Sequence, residues 1–156
     1  MKRILFVCCL LFASAAFGQS TFEQACVDEI NRVRAERGLP VLTVLDDMQG
    51  DARRSAELQR RNGRVGHFVG LQCPAGFAGC GEICASGDDA KIAVRLWMNS
   101  SGHRNIMLSA SKTHISVGHS GRFWAARLVG PACSGGSCST TTTYSKTVYR
   151  NGLLFR

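Results

Sequence analysis

The sequence predicts an α+β domain, and three observations carry that expectation. Apolar residues recur at helical spacing in three separate stretches. Two extended stretches lie close together later in the chain, joined by a glycine-containing turn. Between the second and third helical stretches runs a long segment rich in glycine and cysteine with no periodicity at all. At 156 residues the chain has room for one ordinary domain, and 45% apolar with 19% charged residues is a globular balance.

At the N-terminus, Lys2 and Arg3 precede the apolar run from Ile4 to Phe17, which closes on the small-residue pattern Ala16-Phe17-Gly18. This reads as a secretory signal peptide cleaved after Gly18. The run is shorter than the roughly 18 residues a spanning helix needs, so no integral membrane segment is expected. Cys8 and Cys9 lie inside the run rather than at its end, which argues against a lipoprotein anchor. The expected organisation is a signal over 1–18, a domain over 19–130 and an extension over 131–156, in a protein that is secreted, extracellular or periplasmic.

Ser20 and Glu23 form the pattern of a capping box, and Phe22, Cys26, Ile30 and Val33 then mark one face of a helix. Gly38 and Pro40 end it. Val41 to Leu45 is a short extended run. Asp46 or Asp47 is placed to cap a second helix with Met48, Ala52 and Ala56 inward, which Asn62-Gly63 closes. Residues 63–87 predict a loop with a short strand near Glu82. Asp88 or Asp89 caps a third helix with Ile92, Ala93, Leu96 and Trp97 inward, and Ser100 to Leu108 adds a turn or short helix. Strands are expected at His114 to Gly118 and Arg122 to Val129, around a turn at His119-Ser120-Gly121. In the second, Trp124, Ala126 and Leu128 share a face. Ser134 to Thr143 has the composition of a linker, and Asn151-Gly152 signals a hairpin between Tyr144 to Arg150 and Leu153 to Phe155.

The formal net charge is +8. The arginines are dispersed at spacings that suit solvated helix faces, and no aromatic residues interleave with them, so a nucleic-acid partner is not expected. Past the signal stand Cys26, Cys73, Cys80, Cys84, Cys133 and Cys138. An even count in an exported chain points to disulfides, with the pairing open. The rival reading gathers His67 with the Cys73, Cys80, Cys84 cluster into a structural zinc site. The spacings do not match paired zinc knuckles, and an oxidising compartment disfavours thiolates.

Three residues are candidates for chemistry: His67 in the glycine-rich loop, Glu82 in Cys80-Gly81-Glu82-Ile83, and His103 at the start of the short helix. Two imidazoles and a carboxylate can hold a divalent cation with a position open for water. They can equally form a hydrogen-bonded pocket without a metal. There is no Gly-x-Ser-x-Gly, no phosphate-binding glycine loop and no activated thiol, so nucleophilic hydrolysis and nucleotide binding find no support. Asn99-Ser100-Ser101 matches a glycosylation sequon and is read as incidental.

The segment Trp97-Met98-Asn99-Ser100-Ser101-Gly102-His103-Arg104 resembles the Trp-x-x-Ser-Pro-Gly-His-Arg block of the CAP superfamily, also called SCP-like domains. The family includes cysteine-rich secretory proteins, antigen 5 and plant pathogenesis-related proteins, and the version here is of the bacterial exported type. Other matches follow in order: Ile30 to Arg34 with Gly38-Leu39-Pro40, Ala52 to Leu58, Gly66-His67, Gly81-Glu82, Ile115 to Gly118 and Phe123-Trp124. The resemblance covers about residues 22 to 130. It implies a three-layer α-β-α sandwich with a central antiparallel sheet. It also implies a cleft whose His67, Glu82 and His103 match the family's ligand set for zinc or another divalent cation. The second acidic position falls at Ser100, leaving the set incomplete, and Ile83 stands where the family usually has Asn.

Family members have been associated with lipid or sterol binding, defence, toxicity and occasionally proteolysis, and the fold does not choose among these. The leading expectation is a non-enzymatic extracellular binding module. Its cleft of His67, Glu82, Ser100 and His103 takes a cation or a small ligand, with a lipid, sterol or cell-wall component as partner. The alternatives are a metal-assisted hydrolase or peptidase using the same cleft, and a cationic antimicrobial or membrane-active protein.

Overall fold

Ser20 opens the first helix, α1 (Thr21–Ala35), through the full capping box: its hydroxyl accepts from Glu23 N–H, and its own N–H donates to the Glu23 carboxylate at 2.8 Å. The computed structural model describes residues 20–132 with the backbone of 148–150 and 153–155. The expected signal peptide, Cys133, Cys138 and the linker-like stretch therefore lie outside the described residues. Cys26, Ile30 and Val33 turn inward as predicted. Phe22 does not: it is 59% exposed and stacks on the ring of His119.

Thr43–Val44 forms the short strand β1. A 3₁₀ turn over Asp46–Met48 follows, and its backbone bond from Gln49 N–H to Asp46 O leads directly into α2 (Gln49–Asn62). Neither Asp46 nor Asp47 caps α2; its N-cap is Met48, with no side-chain bond, because the tighter turn already aligns the chain. Met48, Ala52 and Ala56 are buried as expected, and Gly63 ends the helix in the left-handed conformation at φ 63°.

The largest departure is β2 (Phe77–Ser86), ten residues long where the sequence predicts only a short strand near Glu82. Glycines at 79 and 81 conceal the alternation, and the pairing register slips between Ala78 and Gly81 at a bulge. Asp89 caps α3 (Ala90–Asn99) by accepting from Ile92 N–H at 2.7 Å. Ala93 and Trp97 are fully buried, but Leu96 is 41% exposed, one residue off the inward stripe. The short helix α4 (Ser101–Met107) follows at once, then β3 (His114–Ser120) and β4 (Phe123–Pro131), whose turn lies at Gly121-Arg122, a little later than predicted.

The sheet order is β1-β3-β4-β2. Its three long strands are antiparallel, as the resemblance implies. The edge strand β1 is parallel to β3, so the sheet is mixed: α2, β2, α3 and α4 all intervene, a connection long enough to bring the chain back in the same direction. Alternate residues face opposite layers. Ile83, Ala85, Ile115, Val117, Trp124, Ala126 and Leu128 join residues of α1, α3 and α4 in the main core. On the other face Cys84 and Ala125 meet Ala56 of α2. A side chain at Gly118 would sit 2.1 Å from the Ala52 carbonyl, so only glycine lets α2 lie this close to β3.

Arg34 is fully buried and donates to the carbonyls of Pro40, Met107 and Ser109, tying α1 to the exit of α4. Cys73 and Cys80 form a disulfide, whereas Cys26 and Cys84 are buried free thiols, so the expectation that every mature cysteine is bridged fails for these two. Their sites explain it: Cys26 is enclosed in the apolar core, and Cys84 lies against α2. Near the C-terminus β5 (Val148–Arg150) and β6 (Leu153–Phe155) pair antiparallel as a separate two-stranded sheet, the predicted hairpin. Among the described residues no helix is long and apolar enough to cross a membrane.

A candidate ligand cleft around His67

Glu82 sits on the α2 face of β2 and is almost fully buried, while His67 comes from the loop after α2 and keeps 57% of its side chain exposed. Their contact, His67 Nδ1 to Glu82 Oε1 at 2.9 Å, closes the loop onto the sheet. A carboxylate only accepts, so Nδ1 is the donor in this bond. In the neutral ring Nε2 then carries the lone pair, which makes His67 a ligand or a base through that atom. The second oxygen of Glu82 accepts from Arg127 Nε at 2.7 Å.

Arg127 is fully buried on the same face of β4. Its Nη1 donates to Asp51 of α2 at 3.0 Å, and its Nη2 to the carbonyls of Val69 and Gly70 at 3.2 and 3.4 Å. Cys84, two residues beyond Glu82 and so on the same face, brings Sγ to 3.7 Å from Glu82 Oε1 and 3.8 Å from His67 Nδ1. Burial, then the Glu82 charge, pushes the Cys84 thiol up to about 12, so it is a protonated donor at neutral pH.

His103 lies half-buried on α4, and desolvation, followed by the charge of His67, holds it below the ordinary histidine range. It therefore remains neutral, with a free lone pair, to lower pH than a solvated imidazole. Ser100 is the N-cap of α4 but makes no side-chain cap bond, and it is half-buried. Ile83, where the family usually has a polar residue, points to the opposite face and is sealed in the main core. The structural zinc reading is overturned, since the Cys73–Cys80 disulfide removes two of its ligands.

His67, Glu82 and Cys84 place one ligand atom each within 4.8 Å of one another, a group able to hold a metal ion; His103 is not among them. The chemistry of that group is unfavourable as it stands. Both carboxylate oxygens are engaged, one by a permanent guanidinium cation, and the thiol keeps its proton. By donor chemistry an imidazole nitrogen with a free lone pair suits a cation better than either of these groups. His67 would offer Nε2 with its Nδ1 braced on Glu82, the arrangement by which carboxylates orient metal-binding histidines.

Asp51 and Arg127 are not among the candidates that the sequence offers, and Cys84 enters only through the rival zinc reading. One signal is available for Arg127. A lone charge interrupts the apolar run Phe123-Trp124-Ala125-Ala126-Arg127-Leu128-Val129, on the face opposite Trp124, and such a charge has to find a buried partner.

The model of the cysteine-rich secretory protein family, CAP, matches residues 27–122. YkwD of Bacillus subtilis is 28% identical over 134 residues, covering 75% of this chain and 50% of that protein, so the chain spans about half the length of that relative. Among solved structures, an extracellular SCP-domain protein of Bacillus anthracis superposes with a TM-score of 0.61 at 24% identity, over 69% of this chain and 40% of that one. An outer surface protein of Borrelia burgdorferi reaches the same TM-score, 0.61, at 19% identity, over 70% of this chain and 92% of the other. These likenesses confirm the α+β sandwich. With the family model spanning most of the domain, the chain belongs to the cysteine-rich secretory protein (CAP) family.

Proposed function

We propose that this is an exported binding module whose cleft takes a divalent cation, zinc among them, or a small ligand between His67 and His103. Its surface then meets a lipid, sterol or cell-wall component. The observation that carries the reading is the bond from His67 Nδ1 to Glu82, which orients an exposed imidazole with Nε2 left as its acceptor atom. His103, held neutral by its burial, supplies the second imidazole. Two imidazoles suit borderline transition metals rather than calcium or magnesium. Export is supported by the signal-like N-terminus and by relatives described as extracellular or outer-surface proteins.

Binding is favoured over hydrolysis by the state of Glu82. A general base needs an oxygen free to take a proton from water. Here one oxygen accepts from His67 and the other from Arg127. Ser100 offers no second carboxylate.

Calorimetric titration of the oxidised domain with zinc tests the reading, with His67→Ala and His103→Ala alongside. Micromolar binding in the parent protein, lost in both variants, is the expected result. An absence of heat, or binding that survives both substitutions, overturns it.

A further inference from the structure

We propose that Arg127 is the positioning residue of the cleft: one buried guanidinium fixes both the carboxylate and the loop backbone that hold His67 with Nε2 turned to accept. This role rests on the reading of His67 as the ligand-facing group, and it names what sets that group's geometry.

The three guanidinium nitrogens address three different elements. Nε donates to Glu82 of β2, Nη1 to Asp51 in the first turn of α2, and Nη2 to Val69 and Gly70 in the loop. These carbonyls lie only two and three residues past His67. The imidazole is thus bracketed, its ring braced on a carboxylate that Arg127 orients and its backbone followed by carbonyls that Arg127 anchors.

A carboxylate with a partner on one oxygen only can rotate and trade its two oxygens. With Arg127 on Oε2, Oε1 is the atom left for the imidazole. Asp51 in turn completes the fork, and being half-exposed it supplies a second carboxylate to a cation that would otherwise face one. Lysine cannot reproduce this, since a single ammonium on a flexible stem has no planar fork for three directions. A buried ion pair of this kind is a weak source of net stability, so its placement beneath the cleft calls for a reason other than stability.

Nitrogen-15 NMR of the histidine rings, recorded at about pH 8 so that the imidazoles are neutral, reads the consequence directly. In the parent protein His67 is expected as a single Nδ1–H tautomer, and the Arg127 side-chain protons as separate, slowly exchanging signals. A predominant Nε2–H tautomer, or a freely rotating Arg127 guanidinium, overturns the proposal with no variant needed. In Arg127→Lys and Arg127→Met the single tautomer is expected to give way to a mixture, with zinc affinity about ten- to a hundredfold weaker. A folded variant that keeps the parent tautomer overturns it as well.

The two readings fail separately. A parent protein that binds no zinc but shows the predicted tautomer and its loss in Arg127→Lys refutes the metal cleft and supports the role of Arg127. Normal zinc binding with an unchanged tautomer in Arg127→Lys does the reverse.

Discussion

The two faces of the central sheet are built from the same strands and do opposite work. Toward α1, α3 and α4 the strands present Ile83, Val117, Trp124 and Leu128, all fully buried in a continuous apolar core. Toward α2 the middle of the strands presents Glu82, Cys84, Ser116, Gly118, Ala125 and Arg127, all small or polar, with the apolar Phe123 and Val129 only at the two ends of β4. The first face gains free energy by removing apolar surface from water. The second gains less by that route. It brings a helix close enough for Asp51 and the His67 loop to meet a buried guanidinium. Stability and site geometry are thus separated by one residue of strand register.

If that division is right, damage to each face should read out differently. Trp124→Ala on the apolar face carries the largest expected effect. It removes a fully buried ring and its Nε1 bond to the Gly87 carbonyl, at a cost of about 4 kcal/mol. Urea denaturation measures the loss, while zinc affinity of the folded fraction should stay near that of the parent. A large change in affinity would show that the two faces are not independent.

Gly118→Ala attacks the other face. Its Cβ would lie 2.1 Å from Ala52 backbone atoms, so α2 has to move off β3, at about 3 kcal/mol. Here the site should suffer with the fold, because Asp51 travels with the helix. The His67 tautomer, read in the same spectra, is expected to become mixed.

The smallest effect sharpens the boundary where the layers meet. Glu23 of α1 pairs with Arg53 of α2 at 2.7 Å. Burial alone would raise its carboxyl, but hydrogen bonds and charge from Arg53, with the Ser20 bonds, hold it below the ordinary range. A carboxylate depressed on folding adds stability that is complete above its unfolded value, about 4.3, and is lost as pH falls through the folded value. Stability should therefore decline in acid below that range, and Glu23→Gln should flatten the decline without altering the cleft.

What can be read in advance divides along similar lines. Ser20 with Glu23, Asp89 and Gly63 are legible because capping is local, settled within three or four residues of chain. His67, Glu82 and His103 are legible as types in a recurring order, and the structure joins the first two directly. Arg127 signals only that it needs a buried partner; the partners themselves come from residues 51, 69, 70 and 82, and no pattern along the chain connects them. The strand Phe77–Ser86 is hidden by its own glycines, whose role emerges only when Ile106 of α4 is seen packed over Gly81. Leu96 escapes because a helix of ten residues leaves one position of uncertainty in where its apolar stripe ends.

The sheet's two borders have a consequence for how these molecules behave in a crowd. An unpaired strand edge invites pairing with another chain, and long flat edges are the dangerous ones. β1 offers only two residues, too few to template a partner. β2 is long, but its first half is bulged at Gly79 and bound at Cys80 by a disulfide, and residues 81–85 are buried. Neither border of the four-stranded sheet presents a straight exposed ladder, so edge-to-edge pairing of this sheet between molecules is disfavoured.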